Sequence, residues 1–210
     1  MLSVKKEAVN QVKAGANLLD VNMGVGGIDQ AAAMERAVRE IAQITDAPLV
    51  IDTSDARALE AGLRAYPGRA LINSVSAEDN RIQEFLPLAK KYGAAILCLP
   101  IREEGVPKTA EARFEAVQYI LEHAKQYGLT EGDFLLDGLV MTVSADKNAC
   151  REVLGTLRLY REHLGYPSTM GLSNISFGLP NRPLINSTFF AMSLAGGLDA
   201  PIMNPYDDAM

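Results

Sequence analysis

Tryptophan is absent from this chain of 210 residues, histidine and cysteine occur twice each, and aromatic side chains make up only 6%. Cys98 and Cys150 lie far apart without a CxxC spacing, which excludes a disulfide framework and a zinc clip and points to a reducing, cytoplasmic setting. The opening residues carry no signal-peptide pattern, which fits that setting. The most apolar stretches, such as Ala94 to Pro100, are far shorter than the roughly 20 residues a membrane span needs, so a soluble protein without a membrane partner is expected. Positive charge is in deficit, 20 basic against 26 acidic residues, and no Lys/Arg-rich run appears, which argues against nucleic acid as a partner. His123 and His163 sit in helix-like stretches among charged residues and read as surface groups that make no zinc spacing with either cysteine. Neither a GxSxG elbow nor a Ser-His-Asp pattern for acyl transfer is present.

Apolar residues are plentiful at 48%, enough for a substantial core in one domain spanning 1–210. Short β-rich runs alternate with longer amphipathic ones, the pattern of a parallel sheet wrapped by helices. Strands are predicted at 16–21, 48–52, 70–74, 94–99, 133–137, 169–173 and 198–203. Helices are predicted at 4–14, 29–45, 55–66, 79–92, 109–127, 145–164 and 182–195. Several open on Asp or Thr and close before Gly93, Gly128, Gly165 or Gly196, as capping chemistry prefers. Repeated βα units of this size favour a (β/α)8 barrel over a doubly wound sheet. Seven strands are readable where eight are expected, so the domain is expected to be incomplete at both ends, without the first strand and the last helix and with two open sheet edges.

A βα barrel builds its site at the C-terminal ends of the strands. Those ends here read Asp20-Val21-Asn22, Asp52-Thr53-Ser54, Asn73-Ser74, Asp137, Ser173-Asn174 and Met203-Asn204. A lone Asp or Asn after a strand is most often a turn former or helix cap, but recurrence at so many strand ends favours a functional ring. Carboxylates and amides suit the edge of a flat heterocycle that offers an amine, a ring N–H and a carbonyl; Mg²⁺ or Ca²⁺ is the alternative ligand for the same oxygens. The run Met23-Gly24-Val25-Gly26-Gly27 is not GxGxxG and lacks a following Lys-Ser/Thr, so it reads as a pliable loop, with an anion at the next helix N-terminus as the alternative. Arg102 and Arg182 are the charged residues nearest that face; Arg182, in a loop leading into a helix, is either a solvated helix-terminal Arg or a guanidinium aimed at a carboxylate or ring of a ligand.

Four motifs carry a resemblance: Ile72-Asn73-Ser74-Val75-Ser76, Gly171-Leu172-Ser173-Asn174-Ile175-Ser176, Asn181-Arg182-Pro183-Leu184-Ile185-Asn186 and Gly197-Leu198-Asp199-Ala200-Pro201-Ile202-Met203-Asn204. In this order the chain, from Gly15 onward, resembles the methyltetrahydrofolate:corrinoid protein methyltransferases. These are relatives of the folate-binding module of cobalamin-dependent methionine synthase and, more distantly, of dihydropteroate synthase. The resemblance implies a dihydropteroate synthase-like barrel, methyltetrahydrofolate as substrate, cobalamin or another corrinoid carried by a partner protein, a homodimer, and no metal held by this chain. It implies that Asp52, Asn73 and Asp137 grip the pterin edge, that Asn174 reaches N5 as the catalytic residue, and that Arg182 helps order the site. It also implies ligand contact for Asp20, Asn22 and Asn204. A dihydropteroate synthase-like enzyme is the first alternative, disfavoured because the loop after the first readable strand has no Ser-Arg-Pro-Gly phosphate motif. A non-catalytic folate-binding or corrinoid-docking subunit is the second.

Overall fold

The computed structural model describes residues 2–210. After helix α1 (Leu2–Lys13), strands and helices alternate: β1 (Leu19–Asn22), α2 (Gln30–Ala42), β2 (Leu49–Asp52), α3 (Ala56–Ala65), β3 (Leu71–Ala77), α4 (Asp79–Tyr92), β4 (Ala95–Arg102) and α5 (Ala110–Gln126). The second half runs β5 (Phe134–Asp137), α6 (Ala149–Leu159), β6 (Ser168–Gly171), α7 (Arg182–Gly196) and β7 (Ala200–Ile202). The strands form a single seven-stranded sheet in the order β1 to β7, every adjacent pair parallel. Among the described residues β1 and β7 pair only with β2 and β6, so the sheet has two free edges. These are seven consecutive βα positions of a (β/α)8 barrel.

Local chemistry sets the element boundaries. Asp29 caps α2 by accepting from Ala31 N (3.1 Å) and Ala32 N (3.2 Å), and Asp55 caps α3 by accepting from Arg57 N at 2.8 Å. Thr109 does the same for α5 through Ala112 N at 3.3 Å. Gly93, Gly128 and Gly165 take the left-handed conformation that ends their helices; at α7 that role falls to Gly197, one residue beyond the expected Gly196. The helix expected from Ala145 begins at Ala149, because the Asp146 carboxylate accepts from Asn148 N (2.8 Å) and holds 145–148 in turns. It ends in a π-helical turn, Tyr160–Leu164. The strand expected through Ser173 stops at Gly171, where the chain tightens into a 3-10 turn, Leu172–Ser176.

The strand alternation sorts side chains onto two faces. Leu19, Val21, Leu49, Ile51, Ile72, Val75, Ile96, Cys98, Phe134 and Leu136 face the helices and merge with Met34, Leu59, Phe85 and Ile120 into one core. Met170 and Leu172 join a second cluster with Val153, Leu157 and Phe189 from α6 and α7. By parity, Asp20, Asn22, Asp52, Asn73 and Asp137 lie on the opposite, inner face.

Candidate functional site

The C-terminal strand ends bring four of the expected residues into two linked pairs. Register aligns Asn22 with Asp52 and Asp52 with Asn73 across β1, β2 and β3. Asn22 Nδ2 donates to Asp52 Oδ2 at 2.8 Å, and Asn73 Nδ2 donates to Asp20 Oδ2 at 2.9 Å. Asn22 Oδ1 also accepts from Gly24 N at 2.8 Å, so this residue fixes both Asp52 and the start of the glycine loop. The Asn73–Ser74 peptide is cis. Loss of water around Asp20 pushes its carboxyl up to about 6; the Asn73 amide opposes that rise and the Asp52 charge adds to it.

Asp137, across the sheet at the end of β5, is only 7% exposed. Burial pushes it up to about 6, against the pull of the Leu139 N–H, which donates to Oδ1 at 2.6 Å, and of the Arg113 charge. Leu139 makes that bond from a left-handed backbone with φ of 54°. Asp137's backbone carbonyl accepts the Tyr160 hydroxyl at 3.0 Å.

Asn174 sits in the 3-10 turn after β6. Its amide folds back over Gly171, so that a Cβ at 171 would stand 2.9 Å from Asn174 Nδ2. Glycine at 171 thus leaves room for the Asn174 amide. Among the described residues the Asn174 side chain donates no hydrogen bond to the protein, while the backbone around it holds Arg182 and Ser176. Arg182 commits two donors to this turn, Nε to Ser176 Oγ (2.9 Å) and Nη2 to Ser173 O (3.1 Å), with the guanidinium 4.8 Å above the Phe177 ring. It thus orders the turn that carries Asn174. Asn204 stands apart; it is exposed beyond β7 and its Oδ1 accepts from Tyr206 N at 3.0 Å.

Several contributors carried no signal in the sequence. Thr142 and Ser144 donate to Phe177 O at 2.7 and 2.8 Å, and Val143 N donates to Ile175 O at 3.0 Å, clipping the loop after β5 onto the Asn174 turn. Arg113 lies behind Asp137, and Tyr160 beneath it. At the N-terminus of α2, Ala31 N and Ala32 N donate to Asp29 Oδ1. Among the described residues no three His, Cys, Asp or Glu side chains converge as a metal site. Among the described residues no helix is long and apolar enough to cross a membrane.

A parallel βα barrel whose inner strand ends present carboxylates and amides, with a free amide beside them, defines a class of site suited to the hydrogen-bonding edge of a flat heterocycle. The chain belongs to the pterin binding enzyme family, whose model matches residues 2–204. It is 31% identical over 209 residues to a methylcorrinoid:tetrahydrofolate methyltransferase of Eubacterium limosum, covering 96% of this chain and 76% of that protein. It is 32% identical over 210 residues to a methionine synthase of Mycobacterium tuberculosis, covering 94% of this chain. The chain spans 18% of that methionine synthase's length. In fold it is similar to a Yersinia pestis dihydropteroate synthase, with a TM-score of 0.72 at 17% identity over 93% of this chain and 79% of the other. A second Yersinia pestis structure, DHPS with a pterine-sulfa conjugate, matches with a TM-score of 0.73 at 16% identity, over 93% of this chain and 80% of that one.

Proposed function

We propose that the chain transfers the methyl group of methyltetrahydrofolate between N5 of the pterin and the cobalt of a corrinoid carried by a partner protein. The observation that carries this is the free Asn174 amide, folded over Gly171 beside an inner face bearing Asp52, Asn73 and Asp137. Asp52 and Asp137 accept from the amine and ring N–H of the pterin edge, and Asn73 supplies an amide to the same edge. Asp20 and Asn22 hold Asn73 and Asp52 in place. Arg182 keeps the Asn174 turn closed from behind. Asn204 remains the outlying member of the proposed set, as its side chain is engaged in its own turn.

The chemistry is a leaving-group problem. N5 of a tetrahydrofolate leaves poorly, and the C–N bond breaks with its electron pair remaining on N5 while cobalt in its Co(I) state supplies the pair for the new bond to carbon. An amide whose hydrogen bond strengthens as charge changes at N5 stabilises the transition state more than the bound substrate. Asn174 does this without a strong acid, and the product N5 takes its proton from solvent. The Eubacterium limosum relative is named for a methylcorrinoid donor, and by microscopic reversibility the same amide serves either direction.

Asn174→Ala tests the assignment. Losing a hydrogen bond made chiefly in the transition state, on the order of 3 kcal/mol, lowers turnover roughly a hundredfold. Methyltetrahydrofolate affinity should change only a few-fold. The readout is the corrinoid absorbance change on methylation, followed in both directions with a purified corrinoid protein. Near-normal turnover in the variant would remove Asn174 from the mechanism. A homodimer and a cytoplasmic setting belong to the same proposal; sedimentation velocity checks the first.

A further inference from the structure

Arg113 is 1% exposed and among the largest fully buried side chains of the described residues, none of whose ion pairs includes it. A buried guanidinium without a contacting carboxylate is costly to keep, so a structural filler of that size would be better served by Leu or Met. Its hydrogen bonds are both to loop carbonyls. Nε donates to Pro107 O at 3.1 Å, in the loop after β4, and Nη1 donates to Gly138 O at 3.4 Å, in the residue immediately after Asp137. The next residue, Leu139, is the left-handed one whose N–H donates to Asp137 Oδ1.

We propose that Arg113 is a positioning residue for Asp137: it pins the turn that orients the carboxylate and supplies the buried positive charge that faces it. This rests on the assignment of Asp137 to the pterin edge. The surroundings support a directed effect. From α5 only Arg113 brings charge toward Asp137. From the turn after α6, Tyr160 reaches the Asp137 backbone carbonyl, and from β4 the buried Cys98 thiol lies near Tyr160. Glu152 of α6, which accepts from Ala110 N at 2.9 Å, and Asp146 act on the Arg113 charge together with Tyr160 and Asp137. Burial alone drives Asp137 toward its neutral form, and Arg113 is the one cation opposing it. A neutral carboxyl would lose the acceptor strength that a pterin amine and ring N–H require, so the arginine maintains the binding-competent form near neutral pH.

The test separates this role from a merely structural one and from the pterin assignment itself. In the free protein labelled with ¹³C-aspartate, the Asp137 side-chain carbonyl should titrate with a midpoint about 6. Arg113→Gln should raise that midpoint above the unmodified value, and Arg113→Lys should return it toward that value. An unchanged midpoint in Arg113→Gln overturns the proposal. If that variant does not fold, the reciprocal measurement applies: Asp137→Asn should speed exchange of the Arg113 Nη protons several-fold, and unchanged exchange overturns the proposal. Calorimetry with methyltetrahydrofolate across the same pH range forms the second arm, in which the pH at which binding is half lost should follow the carboxyl midpoint. A shifted midpoint with no folate binding even in the unmodified chain would retain the Arg113–Asp137 coupling and reject the pterin assignment.

Discussion

Asp137→Asn should make the free protein more stable and a poorer folate binder. The carboxyl is raised from 3.8 to about 6 by burial, so the folded chain binds its proton more tightly than the unfolded chain does. A group with a raised folded-state value favours folding below about pH 4 and loses that contribution as pH climbs through about 6. Two units correspond to about 3 kcal/mol, withdrawn in full by pH 7.5. An amide cannot ionise and still offers an oxygen to Leu139 N, so the variant escapes the loss and should gain up to about 3 kcal/mol at pH 7.5, with little change at pH 4. Removing a charged acceptor from the pterin edge should meanwhile weaken methyltetrahydrofolate binding by about 2 to 3 kcal/mol, a factor on the order of 100. Urea unfolding at the two pH values and calorimetry at pH 7.5 measure both halves. A variant that is destabilised at pH 7.5, or whose stability falls between pH 4 and 7.5 as steeply as the unmodified chain's, would refute the burial argument. Asp20, whose carboxyl is raised in the same direction, contributes a residual slope of the same sign.

Gly171→Ala should lower methyl transfer by about a hundredfold with the fold retained, because its Cβ would stand 2.9 Å from Asn174 Nδ2 and displace the amide; circular dichroism alongside the transfer assay separates the two effects. Arg182→Met should cost roughly 1 to 3 kcal/mol in urea unfolding, since the partners of Nε and Nη2 are left without their donor, and it should lower turnover through disorder of the Asn174 turn. Normal turnover in Arg182→Met would mean that the turn holds its shape without the guanidinium.

The strand-end ring was legible because two local rules combine: strand parity sends alternate residues to one face, and parallel βα units put one end of every strand at the same mouth. Asp20, Asp52, Asn73 and Asp137 follow from those rules, and the helix caps at Asp29, Asp55 and Thr109 from capping chemistry. The start of α6 was not legible, because the short Asp146 turn competes with helix over residues whose propensity otherwise favours it. The end of β6 was misjudged for a similar reason, since Gly171 and Asn174 close a turn that apolar patterning reads as strand. Arg113 was invisible. In a stretch reading Ala-Glu-Ala-Arg-Phe-Glu a single arginine looks like a solvated helix residue, and only the packing of α5 over the β5 loop buries it. Asn204 sits after a strand as the ring members do, and its side-chain oxygen also accepts within a local turn.

The most direct test of the pterin site is calorimetric titration of methyltetrahydrofolate into this chain at pH 7.5, alongside Asp52→Ala and Asp137→Asn. One folate should bind per chain, with affinity reduced on the order of a hundredfold in each variant. No binding to the unmodified chain, or equal binding to all three, would contradict the assignment of the strand-end carboxylates to the pterin edge.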